Sequence, residues 1–237
     1  GPAVDGAKIA VAGPLGGQFL LWEYATAVAG RLLSINPFDQ PDVEAAKKAA
    51  RALLDQPTGG GTDKPAFTVD EVQAYPVAVK GNDWFPAKTR SLADAITALI
   101  TAAPRHGYLA VQAYLDRIDD ASASLLRAEL ARKSGLQTTF GWGPRFLHST
   151  GQYHKGGHQN GVFLQLTGAV TDDIEVPDRP YTLGTLQRAQ ALGDGQVLVE
   201  HGRPVLRLHL TDRVAGLAAL LRAIATLPDA PKEEVAR

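Results

Sequence analysis

Apolar positions along the chain fall into two alternating periods. Short runs with strand character lie at residues 8–12, 67–72, 75–80, 108–115, 137–142, 161–167 and 204–210. Between them come stretches of helical spacing: 18–33, the segment from Pro41, 91–103, 120–134, 185–193 with a further turn over 196–201, and 212–227. Strand–helix–strand alternation predicts a layered α/β domain with a largely parallel sheet. We expect residues 1–7 to be a tag remnant and lead-in, residues 8–227 to form a single α/β domain, and residues 228–237 to be a flexible tail.

Local signals mark several boundaries. Gly13, Pro14, Gly16 and Gly17 break the first strand. Their spacing fits neither phosphate-loop fingerprint, so a tight connection is expected there. Ser91 reads as a helix N-cap, with Asp94 three residues on, and Gly135 as a C-cap. Loops are expected over 56–65, 81–90 and 171–181. The 18–33 helix is apolar on most sides and predicts a buried element. Glu23 inside it then needs a partner, either as a site residue or as a structural mate for Arg31.

The segment from residue 35 has more chemical content. Pro37 biases Asn36 towards extended geometry, and Pro41 suits the first position of a helix. Asp42 and Glu44 sit favourably in its first turn, and Val43, Ala46, Ala50, Leu53 and Leu54 form an apolar face. Gln40 then stands just before the helix and Lys47 about two turns in. An amide, an ammonium and free backbone N–H groups can meet an anionic or polyhydroxylated ligand. The same pattern equally describes a capped surface helix with a solvated lysine. A second segment, 141–157, carries His148, Gln152, His154 and Lys155 among Gly141, Gly143, Pro144, Gly151, Gly156 and Gly157. The glycines predict a loop without a long regular element. His148, His154 and His158 lack the accompanying acids or cysteines of a metal site, and no metal is expected.

Composition narrows the classes. Hydrophobic residues make up 45% of the 237 and charged residues 21%, ordinary for a globular chain. The net charge of −1 gives no basic footprint for nucleic acid or an acidic membrane surface. Cysteine is absent, which excludes disulfides and thiolate chemistry. No apolar run reaches membrane-spanning length, and a cytoplasmic location is expected.

Two motifs carry a resemblance. Asn36, Phe38, Asp39, Gln40, Val43, Glu44 and Lys47 form an N-x-F-D-Q-x-x-V-E-x-x-K run that resembles the signature of the phosphoglucose isomerase family. Residues 22–34 resemble its lead-in helix, and residues 141–157 resemble its L-H-S-x-G-Q segment. The likeness is to the actinobacterial and transaldolase-fused types. It implies a three-layer α/β sandwich resembling the C-terminal part of a sugar-isomerase (SIS) fold. It implies interconversion of glucose 6-phosphate and fructose 6-phosphate without metal or nucleotide cofactor. His148 matches the ring-opening histidine, Lys47 the lysine paired with it, and Gln40 the glutamine at the phosphate end; Gln152 lies beside them as a substrate-binding candidate. The expected partners are a sugar-phosphate substrate, the N-terminal half of the same enzyme (fused to a transaldolase in one branch) and a second copy in a homodimer.

The pattern departs from the family in two ways. The histidine segment follows the F-D-Q segment here, where the better-known branches have the reverse order. The glutamate base in its E-S-x-G-K context, the G-G-R-Y-S segment and the S-G-T-T phosphate loop have no match in these residues. The chain is therefore expected to correspond to a C-terminal part of such an enzyme, inactive alone. The alternative is a non-catalytic sugar-phosphate-binding or assembly module.

Overall fold

The computed structural model describes residues 10–55, 64–77 and 84–230. The chain divides into two units, residues 1–39 and 40–237.

The first unit is built on one helix, α1 (Leu15–Leu33). Ser34 ends it in left-handed geometry (φ 56°), and the Ile35 N–H returns to the Gly30 carbonyl at 3.0 Å. Gly30 is needed at this turn, since a Cβ there would lie 2.8 Å from Pro37 Cδ. Asn36 then folds the motif on itself. Its side-chain oxygen accepts the Phe38 N–H at 3.1 Å, and its amide donates to Asp39 Oδ1 at 2.9 Å. Two expectations fail here. Ala10–Ala12 form no strand, and Lys8 and Ile9 lie outside the described residues. Nor is α1 buried: Gly30 is its only buried residue, and Phe19, Trp22 and Leu32 are 63%, 57% and 79% exposed. A helix apolar all round needs cover on every side, and among the described residues of this unit the turn at 34–37 covers one stretch near Gly30. Glu23 is exposed too, so it needs no buried partner.

The second unit runs α2 (Pro41–Leu54), β1 (Phe67–Val69), β2 (Val72–Val77), α3 (Leu92–Thr101), β3 (Tyr108–Tyr114), α4 (Leu126–Ser134), β4 (Gln137–Trp142), α5 (Ser149–Gly156), β5 (Gly161–Gly168), α6 (Leu183–Glu200), β6 (Val205–Leu210) and α7 (Arg213–Ala225). Its sheet has the order β1-β2-β6-β5-β3-β4. Strands β6, β5, β3 and β4 are parallel, and the β1–β2 hairpin joins antiparallel at the β6 edge. Helices α3, α4 and α7 bury one face under Leu92, Ile96, Leu99, Leu126, Leu130, Leu217 and Leu220. Helices α2, α5 and α6 pack together in the other helical layer. This is the expected three-layer α/β class. The chain leaves β3 through α4 towards one edge and leaves β5 through α6 towards the other. Its direction across the sheet therefore reverses between β3 and β5.

Ser91 caps α3 by accepting the Asp94 N–H, and Gly135 ends α4 at φ 69°. Elsewhere the glycines mislead. The 141–157 segment contains an eight-residue helix, α5, and α6 is continuous through Gly193 and Gly195 where a break was expected. These glycines serve close approach rather than chain reversal. A Cβ on Gly193 would lie 2.6 Å from the Ala50 N of α2, and one on Gly151 only 1.6 Å from the Phe146 carbonyl oxygen. Helices α2 and α6 run antiparallel, with Asp42 beside His201 and Ala50 beside Gly193. Leu125, expected on an apolar helix face, lies instead in a 3-10 turn and is 58% exposed. The second strand of the hairpin starts at Val72, and the expected end of that strand, along with most of the 56–65 loop, falls outside the described residues.

Candidate functional site

The start of α2 is held by α5. Gln40 occupies the N-cap position without a side-chain cap bond, and Pro41 follows at the first helical position. The orphan N–H groups of Asp42 and Val43 donate to Gln152 Oε1 at 3.0 and 3.4 Å, and Gln152 Nε2 donates to Asp42 Oδ2 at 2.7 Å. The amides expected to be free for a ligand are thus partly engaged by Gln152. Gly156 makes room for this clasp, since a Cβ there would lie 2.5 Å from Gln152 Nε2. His201 Nε2 approaches Asp42 Oδ1 at 3.6 Å.

Lys47, one turn further, places its ammonium 2.6 Å from Glu44 Oε1, with the lysine side chain one-third exposed. The Lys47 hydrogen bond, then its charge, holds the Glu44 carboxyl below its ordinary range. His148 is exposed at the extended residue before α5. Its neighbour Leu147 packs in one buried cluster with Ala46 and Val197. The residues next to His148 and next to Lys47 therefore share one buried cluster. Gln40, Lys47, His148 and Gln152 lie on two helix starts of a single layer.

Sequence reasoning missed a buried polar centre beneath them. Lys155, expected in a loop, is an α5 residue paired with Asp194 of α6, both side chains fully buried. The ammonium also donates to the Phe146 and Gly151 carbonyls at 3.3 and 3.4 Å. Gln112 Nε2 donates to Asp194 Oδ2 at 3.0 Å. Burial pushes the Asp194 carboxyl up, opposed by the Lys155 charge and the hydrogen bonds from Lys155 and Gln112. His154 stacks on Phe146 and meets Phe163 edge-on. Burial, reinforced by Lys155 and Arg203, lowers its pKa to about 4. Arg203 gathers the Lys155, Gly157 and His158 carbonyls at the end of α5.

Strand register extends this polarity along the sheet face under α6. Tyr75, Arg207, Gln165 and Gln112 form one cross-strand row, and His209, Thr167 and Tyr114 the next. The signal was present in the sequence: glutamine is the fifth residue of both β3 and β5, inside otherwise apolar runs. Above these rows, at the carboxyl ends of β3, β5 and β6, lies a cavity of about 360 Å³. It is closed on its other side by the first half of α6, and Gln40, Lys47, His148 and Gln152 do not line it.

Fold and site define a three-layer α/β protein with a polar sheet face and an anchored helix start. No family model matches the chain. Over 43 residues it is 56% identical to glucose-6-phosphate isomerase of Exiguobacterium sibiricum and 51% identical to that of Leptospira interrogans, in each case 18% of this chain and 10% of the relative. The chain thus matches about a tenth of the length of these curated relatives. It is also similar to the crystal structure of a hypothetical protein from Thermus thermophilus, with a TM-score of 0.47, 16% identity, and coverage of 55% of this chain and 37% of that one. A short segment of the chain is therefore similar to sugar isomerases. Among the described residues no helix is long and apolar enough to cross a membrane.

Proposed function

We propose that this chain is part of a glucose-6-phosphate isomerase and contributes the ring-opening side of its site. Opening a cyclic sugar needs an acid–base group at the ring oxygen and the anomeric hydroxyl, and histidine titrates in the right range. In this reading His148 and Lys47 handle those protons and Gln40 binds the phosphate end. The carbon-to-carbon proton transfer falls to a carboxylate outside these residues. One observation carries the reading. The two segments that resemble the family lie 110 residues apart in sequence, yet Gln152 clasps the α2 start. Lys47 meets substrate only if it leaves Glu44, an exposed pair that contributes little to stability.

The test is Lys47→Ala in the parent enzyme. We expect turnover of cyclic glucose 6-phosphate to fall about 10²- to 10⁴-fold, with a smaller loss on open-chain analogues and unchanged folding. Equal losses on both substrates assign Lys47 to binding. No loss on either favours the non-catalytic module.

A further inference from the structure

We propose that Gln152 is a positioning residue that sets Lys47 against His148 for ring opening, rather than a ligand of the substrate. The proposal rests on the isomerase reading and deepens it.

The side chain of Gln152 is turned towards protein atoms. It lies on α5 one turn after His148, the residue before that helix, and reaches across to the first turn of α2. Its oxygen accepts the Asp42 N–H at 3.0 Å and the Val43 N–H at 3.4 Å, and its nitrogen donates to Asp42 Oδ2 at 2.7 Å. Both acceptor positions of the oxygen are thereby filled, so a substrate hydroxyl would have to displace a bond to α2. Room for the clasp is built in at Gly156. A Cβ there would lie 2.5 Å from Gln152 Nε2 and 2.6 Å from Asp42 Oδ2, so a larger residue would force the pair apart. Asp42 is braced from a third helix as well. His201, just after α6, has Nε2 3.6 Å from Asp42 Oδ1 and Nδ1 3.0 Å from the Lys155 carbonyl.

The clasp matters because the two proton-handling residues stand on different helices. Lys47 lies one turn after Val43 on α2, and His148 lies one turn before Gln152. The apolar contacts of Ala46, Leu147 and Val197 hold these elements together. Such contacts are not directional and tolerate sliding. Hydrogen bonds are directional, and those of Gln152 fix where one helix start sits against the other. Acid–base catalysis depends on that placement, and a shift of about 1 Å can cost about 10²-fold in rate.

The test is the kinetics of the parent enzyme on cyclic glucose 6-phosphate. Gln152→Glu keeps an acceptor for the two N–H groups but sets a second carboxylate against Asp42. It should lower kcat about 10- to 100-fold and change KM less than about twofold. Adding Asp42→Asn reverses the bond, with the amide now on residue 42 and the carboxylate on residue 152, and should restore most of kcat. In the Lys47→Ala enzyme, Gln152→Glu should cost less than about threefold more. Circular dichroism confirms folding; if the glutamate variant does not fold, Gln152→Met, which keeps the shape and removes every clasp bond, should show the same kcat loss. A raised KM with unchanged kcat makes Gln152 a substrate ligand and overturns the proposal. So does failure of the Asp42→Asn rescue, or a full further loss in the Lys47→Ala enzyme. Wild-type kcat in Gln152→Glu beside a crippled Lys47→Ala enzyme overturns it and leaves the isomerase reading standing. No loss in Lys47→Ala overturns that reading, and this proposal with it.

Discussion

Two regions of the sheet face beneath α6 use charge differently. Around Gln112, in the body of β3, and just before β6, charge is turned inward. Lys155 and Asp194 pair in full burial, and Arg203 spends its donors on three backbone carbonyls at the end of α5. Towards the carboxyl ends, Arg188, Arg207 and Asp173 line an open cavity beside the unpartnered Tyr114 hydroxyl. The same residue types are buried among helices in one region and border open space in the other. Ionic groups in an α/β layer thus identify a site by what space they face, not by their presence.

If that division is right, the buried polar centre should be costly to disturb and the cavity region cheap. The largest effect is expected from Lys155→Met, which leaves Asp194 buried and alone. Urea denaturation should show a loss of about 3–5 kcal/mol. Adding Asp194→Leu should recover much of it, because a buried pair replaced whole by apolar groups is often tolerated. A fully tolerated single variant would erase the contrast.

Next comes pH. The folded-state pKa of His154, about 4, lies below its ordinary 6.5. Between these values the unfolded chain binds a proton that the folded chain does not. Stability is therefore retained above about pH 6.5 and falls as pH drops towards 4, by about 3 kcal/mol for this residue. His154→Gln should flatten that part of the stability profile; an unchanged slope would assign the proton uptake elsewhere. The smallest effect is expected in the cavity region. Tyr114→Phe removes an unsatisfied hydroxyl and keeps the ring, so stability should stay within about 0.5 kcal/mol of the parent or rise. A loss beyond about 1 kcal/mol would show that the hydroxyl has a structural partner.

Much of the fold was legible because it rests on local periodicity. The buried strands of the sheet, the Ser91 cap and the Gly135 terminus all follow from patterns a few residues long. What was not legible depends on neighbours distant in sequence. Gly193 and Gly151 read as breakers, yet each lies inside a helix where another backbone passes closely. The α1 run read as buried because apolarity says that cover is needed, not that it is present. In the candidate site, the positions of Gln40 and Lys47 on a helix start were readable from Pro41 and the acidic first turn. The Gln152 clasp was not, since nothing local to residue 152 points to residues 42 and 43. Lys155 and Asp194 were missed for the same reason: each looks like an ordinary surface charge until strand order and helix packing bring them together.

The antiparallel join between β2 and β6 also bears on how the chain is made. Val72–Val77 pairs with Val205–Leu210, so a hairpin near the start of the second unit finds its sheet partner only after nearly all of that unit exists. On a ribosome the β1–β2 hairpin would emerge early and wait, with one strand edge unsatisfied, through the synthesis of everything from α3 to β6. Contacts this far apart in sequence slow folding and leave nascent edges open to other chains. The hairpin would thus be the first piece of the sheet translated and among the last to be secured, and its exposure to misassembly would last as long as the ribosome takes to reach residue 210.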